Sequence, residues 1–266
     1  MVKNNFAVFM LIVLLIISGN KQNVYSQDSI IEKEIKADSY RLFLTANDNN
    51  FFTGSLEIFD KYNNSVFYAD SFYSRYNWDT LIDMDSDGRN ELIIDLGTGA
   101  LMYDYNVFLI IDFKNNKIDP LEIHNAQLVT GVDDNPKIVS DVRMSPAYLG
   151  TGYSFSLMYA GDKLIPEKDA KKSKVLSGLI PDEKELLEQM KIYGKETGEC
   201  SEESYYQIYF EAYITQMKIA GNERRGWKFF EKYYKCRDKK AVRNSLSKNV
   251  SENYKAIIQS DYKFKK

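Results

Sequence analysis

The apolar residues of this chain change their period once, near Pro166, and that change limits the possible folds more than any other feature. Before it, apolar residues come in short runs rich in β-branched and aromatic side chains, each closed by an Asn, Asp or Gly turn. Arg41-Leu42-Phe43-Leu44-Thr45, Ser55-Leu56-Glu57-Ile58-Phe59, Val66-Phe67-Tyr68-Ala69 and Tyr105-Asn106-Val107-Phe108-Leu109-Ile110-Ile111 are the clearest. Such runs predict strands. Tyr62-Asn63-Asn64 suits a hairpin turn, because Asn tolerates positive φ. Residues 27–38 are polar, and Ile30, Ile31 and Ile35 fit either one short helix or an extended lead-in. About ten strands at this spacing predict an antiparallel sandwich or a partial propeller.

Beyond Pro181 the spacing becomes helical. Asp182 is placed as an N-cap with Glu185 three residues on. Leu186, Leu187, Met190 and Tyr193 form one face of a first helix, and Tyr206, Tyr209, Phe210, Tyr213, Met217 and Ala220 form one face of a second. A third from about 223 to 235 buries Trp227, Phe230 and Tyr234. A fourth carries Val242, Leu246, Val250, Tyr254 and Ile257. The predicted class is therefore α+β: a β-rich domain over 38–166, a charged linker over 167–179 and a helical domain over 180–266.

Inside the β-rich part lies Asp83-Met84-Asp85-Ser86-Asp87-Gly88-Arg89-Asn90-Glu91. Three alternating Asp can converge if the chain coils, and Gly88 supplies the positive φ for a sharp turn. The Arg89 main-chain carbonyl and the Glu91 carboxylate complete an all-oxygen set. Ca²⁺ takes six to eight such ligands in irregular geometry, whereas Mg²⁺ demands an octahedron. An ordinary Asp-Gly hairpin turn is the alternative, although four carboxylates this close repel one another without a cation.

The loop starts like an EF-hand, but an EF-hand needs a Glu at its twelfth position, which here is Ile94. Its flanks, Trp78 to Ile82 and Leu92 to Leu96, predict buried strands. A strand–loop–strand with Glu at the ninth position resembles the calcium loops of FG-GAP and VCBS-type repeats. The resemblance covers Leu81 to Leu96. It implies that Asp83, Asp85, Asp87, Arg89 and Glu91 bind the ion, and that the chain is an exported binding module. Only one good copy of the motif is present, where a propeller needs a set of strands per blade.

Export is also expected from the N-terminus. Lys3 precedes an apolar run from Phe6 to Ile17, too short for a comfortable membrane span, and Val24-Tyr25-Ser26 before Gln27 suits cleavage. Residues 1–26 are thus expected to be a signal peptide, with an uncleaved anchor as the alternative. The protein is expected to be periplasmic or secreted, and not an integral membrane protein once the signal is removed. Cys200 and Cys236 are the only two cysteines. An even count in an oxidising compartment favours a disulfide over two free thiols. Antiparallel packing of the second and third helices brings these two positions together.

A net charge of −3 on 266 residues gives no ground for a nucleic-acid partner. The stretch from Arg224 to Lys266 is nonetheless basic, which suits an acidic partner, an anionic lipid or polymer of the envelope, or simply the solvated face of helices. His124 is the single histidine, and nothing near it in sequence completes a triad or a zinc site. There is no Gly-x-Ser-x-Gly elbow, no Walker loop and no dinucleotide fingerprint. Two carboxylates suffice for a glycosidase, and Tyr73, Tyr76, Trp78, Tyr103 and Tyr105 either stack on sugars or form core and cross-strand pairs. The reading that results is an exported, non-enzymatic, calcium-stabilised module that binds a protein or polysaccharide of the envelope. The alternative is a carboxylate-dependent glycan hydrolase.

Overall fold

The structure, a computed structural model, describes residues 29–47, 50–72, 75–97, 106–113, 117–145, 150–160, 163–197, 200, 206–260 and 262. The expected signal peptide, Tyr73, Tyr103, Tyr105, the turns at 48–49, 114–116 and 161–162, and the terminal Lys263 to Lys266 lie outside the described residues.

Three four-stranded antiparallel sheets follow one another along the chain. The first contains β1 (Ser29–Ala37), β2 (Tyr40–Asn47), β3 (Asn50–Phe59) and β4 (Ser65–Phe72). The second contains β5 (Arg75–Ile82), β6 (Glu91–Gly97), β7 (Asn106–Asp112) and β8 (Lys117–His124). The third contains β9 (Ala126–Val129), β10 (Lys137–Arg143), β11 (Gly152–Tyr159) and β12 (Leu164–Pro166). Each is a meander, every strand pairing with its sequence neighbour. Residues 29–37, whose spacing suited helix or strand, are a strand because Glu34 to Ala37 pair in register with Phe43 to Tyr40. The sheet region therefore begins ahead of residue 38. The β3–β4 turn has Asn63 at φ 66°, and the Asp60 carboxylate accepts the N–H groups of Tyr62 and Asn64.

The sheets stack, with the second in the middle. Its strand β6 is apolar on both faces. Leu92, Ile94 and Leu96 pack with Leu42, Leu44, Leu56 and Ile58 of the first sheet. Ile93 and the facing Phe108, Ile110 and Ile123 pack with Ile138, Phe155, Leu157 and Tyr159 of the third. Continuous apolar runs are what burial on two faces requires. The arrangement is an open stack of three blade-like meanders, not a two-layer sandwich. Strand β5, by contrast, lies at the edge of its sheet and is only half-buried. Asn106 joins the second sheet to the third: its amide donates to Asp95 and to the Ala126 carbonyl, and its oxygen accepts the Ala126 N–H.

The helical part contains α1 (Lys174–Gly178), α2 (Glu183–Thr197), α3 (Tyr206–Ile219), α4 (Glu223–Tyr233) and α5 (Lys239–Gln259). Asp182 caps α2, accepting the N–H groups of Lys184 and Glu185. The expected linker contains α1, capped by the Ser173 hydroxyl. Helix α3 is buried nearly all round, between β11 and the helices α4 and α5. Gln216 of α3 accepts the Ser154 N–H at 2.7 Å. Leu176, Ile219 and Ile257 belong to the same apolar cluster as the third sheet. The helices are thus packed onto the sheets through a shared core. A second cluster holds Met190, Phe210, Tyr213, Phe229, Phe230, Leu246 and Val250 among the helices. A disulfide joins Cys200 to Cys236, whose Cα atoms are 5.5 Å apart.

Candidate metal centre

The loop from Asp83 to Asn90 connects β5 to β6, and Ile82 pairs with Glu91 at its base. Two positive-φ residues coil it, Ser86 at 62° and Gly88 at 84°. At Gly88 a Cβ would meet nothing within 4 Å, so the backbone angle and not space calls for glycine. Met84 is fully buried, inserted into the cluster shared by the second and third sheets. This anchors the loop near its start, while Asp83 and Asp85 on either side stay half-buried and Asp87 is exposed.

The Asp83 carboxylate accepts the Asp87 N–H at 3.1 Å on one oxygen and the Gly88 N–H at 2.8 Å on the other. Asp85 accepts the Asp87 N–H at 3.3 Å. Glu91 accepts the Met84 N–H at 2.9 Å through Oε2. One carboxylate oxygen each from Asp83, Asp85 and Glu91 then lie within 4.8 Å of one another. Asp87 is not in this group: its Oδ1 accepts the Arg89 N–H at 3.0 Å. Arg89 itself is exposed. Of the five expected ligands, the structure thus brings three side chains together and sets Asp87 in the turn that follows.

Glu91 is 1% exposed. Burial, reinforced by the negative charge of Asp85 and Asp112, pushes its carboxyl up from the ordinary 4.5 to about 7, against the opposing pull of the Met84 N–H. Behind it, buried Asp112 accepts the Tyr159 hydroxyl at 2.9 Å. That bond ties the second sheet to the third and raises the phenol well above its usual range, with burial the largest cause.

The donor set suits a hard cation. It is all oxygen, it contains no imidazole or thiolate, and each carboxylate oxygen that accepts an N–H keeps a second lone pair. A divalent ion bound there would reverse the cost of burying Glu91 as an anion. The same burial keeps Glu91 from delivering a proton to a glycosidic oxygen. Trp78 is packed edge-to-face on Phe108, with centroids 5.3 Å apart, so it is a core partner and not a sugar platform. Tyr76 is half-buried beneath Lys33 and bonded to Asp79. His124 lies at the end of β8 with an exposed side chain beside Glu122.

Three residues that shape the site are not marked by the ligand spacing. Met84 was visible as one apolar side chain inside an acidic loop. Asp112 and Asn135 come from distant strands and loops, and nothing in sequence links them to it. The Ser86 hydroxyl donates to Asn135 at 2.7 Å, fastening the loop to the 132–135 turn. A cleft of about 420 Å³ opens beside the loop, lined by Asp38, Leu81, Arg89, Asn90, Asp112 and Phe113.

Compared with known proteins, the chain matches no family model, no curated protein and no solved structure. The likeness to FG-GAP and VCBS loops therefore rests on residues 81–96 themselves.

Proposed function

We propose that the protein is an exported binding module whose β-stack is stapled by one calcium ion, and that it presents a surface to a protein or glycan of the cell envelope. The observation that carries the proposal is the convergence of Asp83, Asp85 and Glu91 to within 4.8 Å in a loop already coiled by its own N–H donors. Asp87 and the Arg89 carbonyl are the further ligands that the resemblance to FG-GAP and VCBS loops supplies. The ion chemistry here is charge neutralisation. It holds the ends of β5 and β6 together and offsets the repulsion around buried Glu91. Outside the cytoplasm calcium is often near millimolar, so a site as weak as about 10⁻⁴ M is mostly filled. The disulfide between Cys200 and Cys236 supports an oxidising compartment. No helix among the described residues is long and apolar enough to cross a membrane. The cleft beside the loop is the binding face that the ion would hold in shape.

The test is a thermal melt with calcium and again with chelator, on the parent protein and on Asp85→Ala. The expected outcome is a rise of several degrees with calcium that the variant lacks. Equal melting temperatures in calcium and chelator for the parent would reduce the loop to a hairpin turn and remove the proposal's support.

A further inference from the structure

Separate from the acidic loop, residues 223–243 carry nine Lys and Arg against three acids, in a chain whose net charge is −3. All three acids are engaged. Glu223 pairs with Lys218 and accepts the Trp227 indole N–H. Glu231 pairs with Lys239 and Arg243. Asp238 accepts the Tyr234 hydroxyl. Of the nine cations, Arg225 is held by Glu183, and Lys239 and Arg243 by Glu231. Arg224, Lys228, Lys232, Lys235, Arg237 and Lys240 are all exposed, and none has an ion-pair partner among the described residues.

Their placement is ordered. Arg224, Lys228 and Lys232 follow one another at four-residue steps along α4, so they share one face at intervals of about 6 Å. The opposite face, with Gly226, Phe229 and Phe230, is buried against α3. Lys235 and Arg237 follow in the turn after α4, and Lys240 lies in the first turn of α5. The two paired cations of α5 lie alongside: Arg243 sits over the Trp227 ring at 4.9 Å, and Lys239 reaches the Glu231 carbonyl at 2.7 Å. The result is a cationic rail along α4, with further cations in the turn after it and in α5.

We infer that this rail is a docking surface for a linear phosphate-bearing polymer. Like charges held this close repel one another, and a polyanion laid along them relieves the repulsion and releases its counterions. Lysine outnumbers arginine four to two in the unpaired set. Lysine binds phosphate as a point charge, by charge density and without a fixed fork. A membrane surface fits less well. A basic helix that lies on lipid inserts an apolar face, and here that face is already buried. The exposed large apolar side chains among the described residues are Ile31, Tyr62, Val66, Tyr68, Leu81, Val132, Met158 and Ile192, none of them on α4 or α5.

The test is titration of the whole protein with long-chain inorganic polyphosphate at several salt concentrations. Polygalacturonate and phosphatidylglycerol vesicles are run alongside. The variants are Arg224→Gln/Lys228→Gln/Lys232→Gln and, as a control of equal charge change, Lys171→Gln/Lys172→Gln/Lys174→Gln. Polyphosphate is expected to bind the parent and the control alike. The rail variant should bind at least about tenfold more weakly, with its slope of log K on log salt shallower by about 2. Circular dichroism melts establish that both variants stay folded. A similar loss in both variants would make net charge, and not the rail, responsible. Tighter binding to vesicles or to polygalacturonate would overturn the choice of partner, and no polyphosphate binding at low salt would end the proposal. None of these outcomes depends on calcium at Asp83, Asp85 and Glu91.

Discussion

Glu91 is held by the Met84 N–H that its Oε2 accepts, while burial, and after it the charges of Asp85 and Asp112, oppose its ionisation. The folded chain keeps the Glu91 proton up to about pH 7, whereas an ordinary glutamate releases it near 4.5. A raised acid makes the folded state bind more protons than the unfolded state over that window, so stability falls as pH rises through it. Chelated protein is therefore expected to melt at progressively lower temperature between about pH 4.5 and 7. Calcium should flatten that dependence by displacing the proton, and melts across this range with and without the ion check it. Glu91→Gln should raise the melting temperature of the chelated protein at pH 7 and abolish the calcium response, which separates the cost of the buried charge from the benefit of the ion. At Met84, fully buried in the core, truncation to Ala removes the loop's anchor at a cost of about 2–5 kcal/mol. Denaturant unfolding measures it. The acidic residues of this site were legible because ligand spacing is local. That Asp87 bonds to Arg89 and stays out of the converging group was not, because it depends on how Ser86 and Gly88 set the turn.

Among the elements, the crossing of α3 and α4 is a close fit. A Cβ on Gly226 would lie 2.9 Å from the Ile214 Cα, so Gly226→Ala must push the helices apart. The expected cost is about 1–3 kcal/mol, as for other overpacked contacts, seen as a lower midpoint in urea. The disulfide that closes the same hairpin spans 36 residues. Its loss in Cys200→Ser/Cys236→Ser should cost about 3–4 kcal/mol, and unfolding of the parent with and without reductant should reproduce that difference. The helices and their cysteines were legible because apolar residues at three- and four-residue steps mark one face, and antiparallel packing follows. β1 was ambiguous because Ile30, Ile31 and Ile35 satisfy both periods, and only its pairing with β2 decides. α1 has five residues, too few to show any period.

For the molecule as a whole, sequence spacing showed strands and then helices but could not show how many sheets the strands make. Consecutive hairpins look alike in sequence whether they stay in one sheet or start the next. The boundary between the second and third sheets rests on Asn125, at φ 49°, and on the Asn106 latch beside it. One consequence concerns β6. With apolar side chains on both faces, Leu92, Ile94 and Leu96 to one side and Ile93 to the other, a slip of one residue would trade one greasy set for another. The marks that distinguish the native alignment are the acids Glu91 and Asp95. The first is tied to the Met84 N–H and the second to Asn77 and Asn106. An ion captured at Asp83, Asp85 and Glu91 would thus act during folding as a proofreader, rewarding the one alignment that brings Glu91 back to its loop.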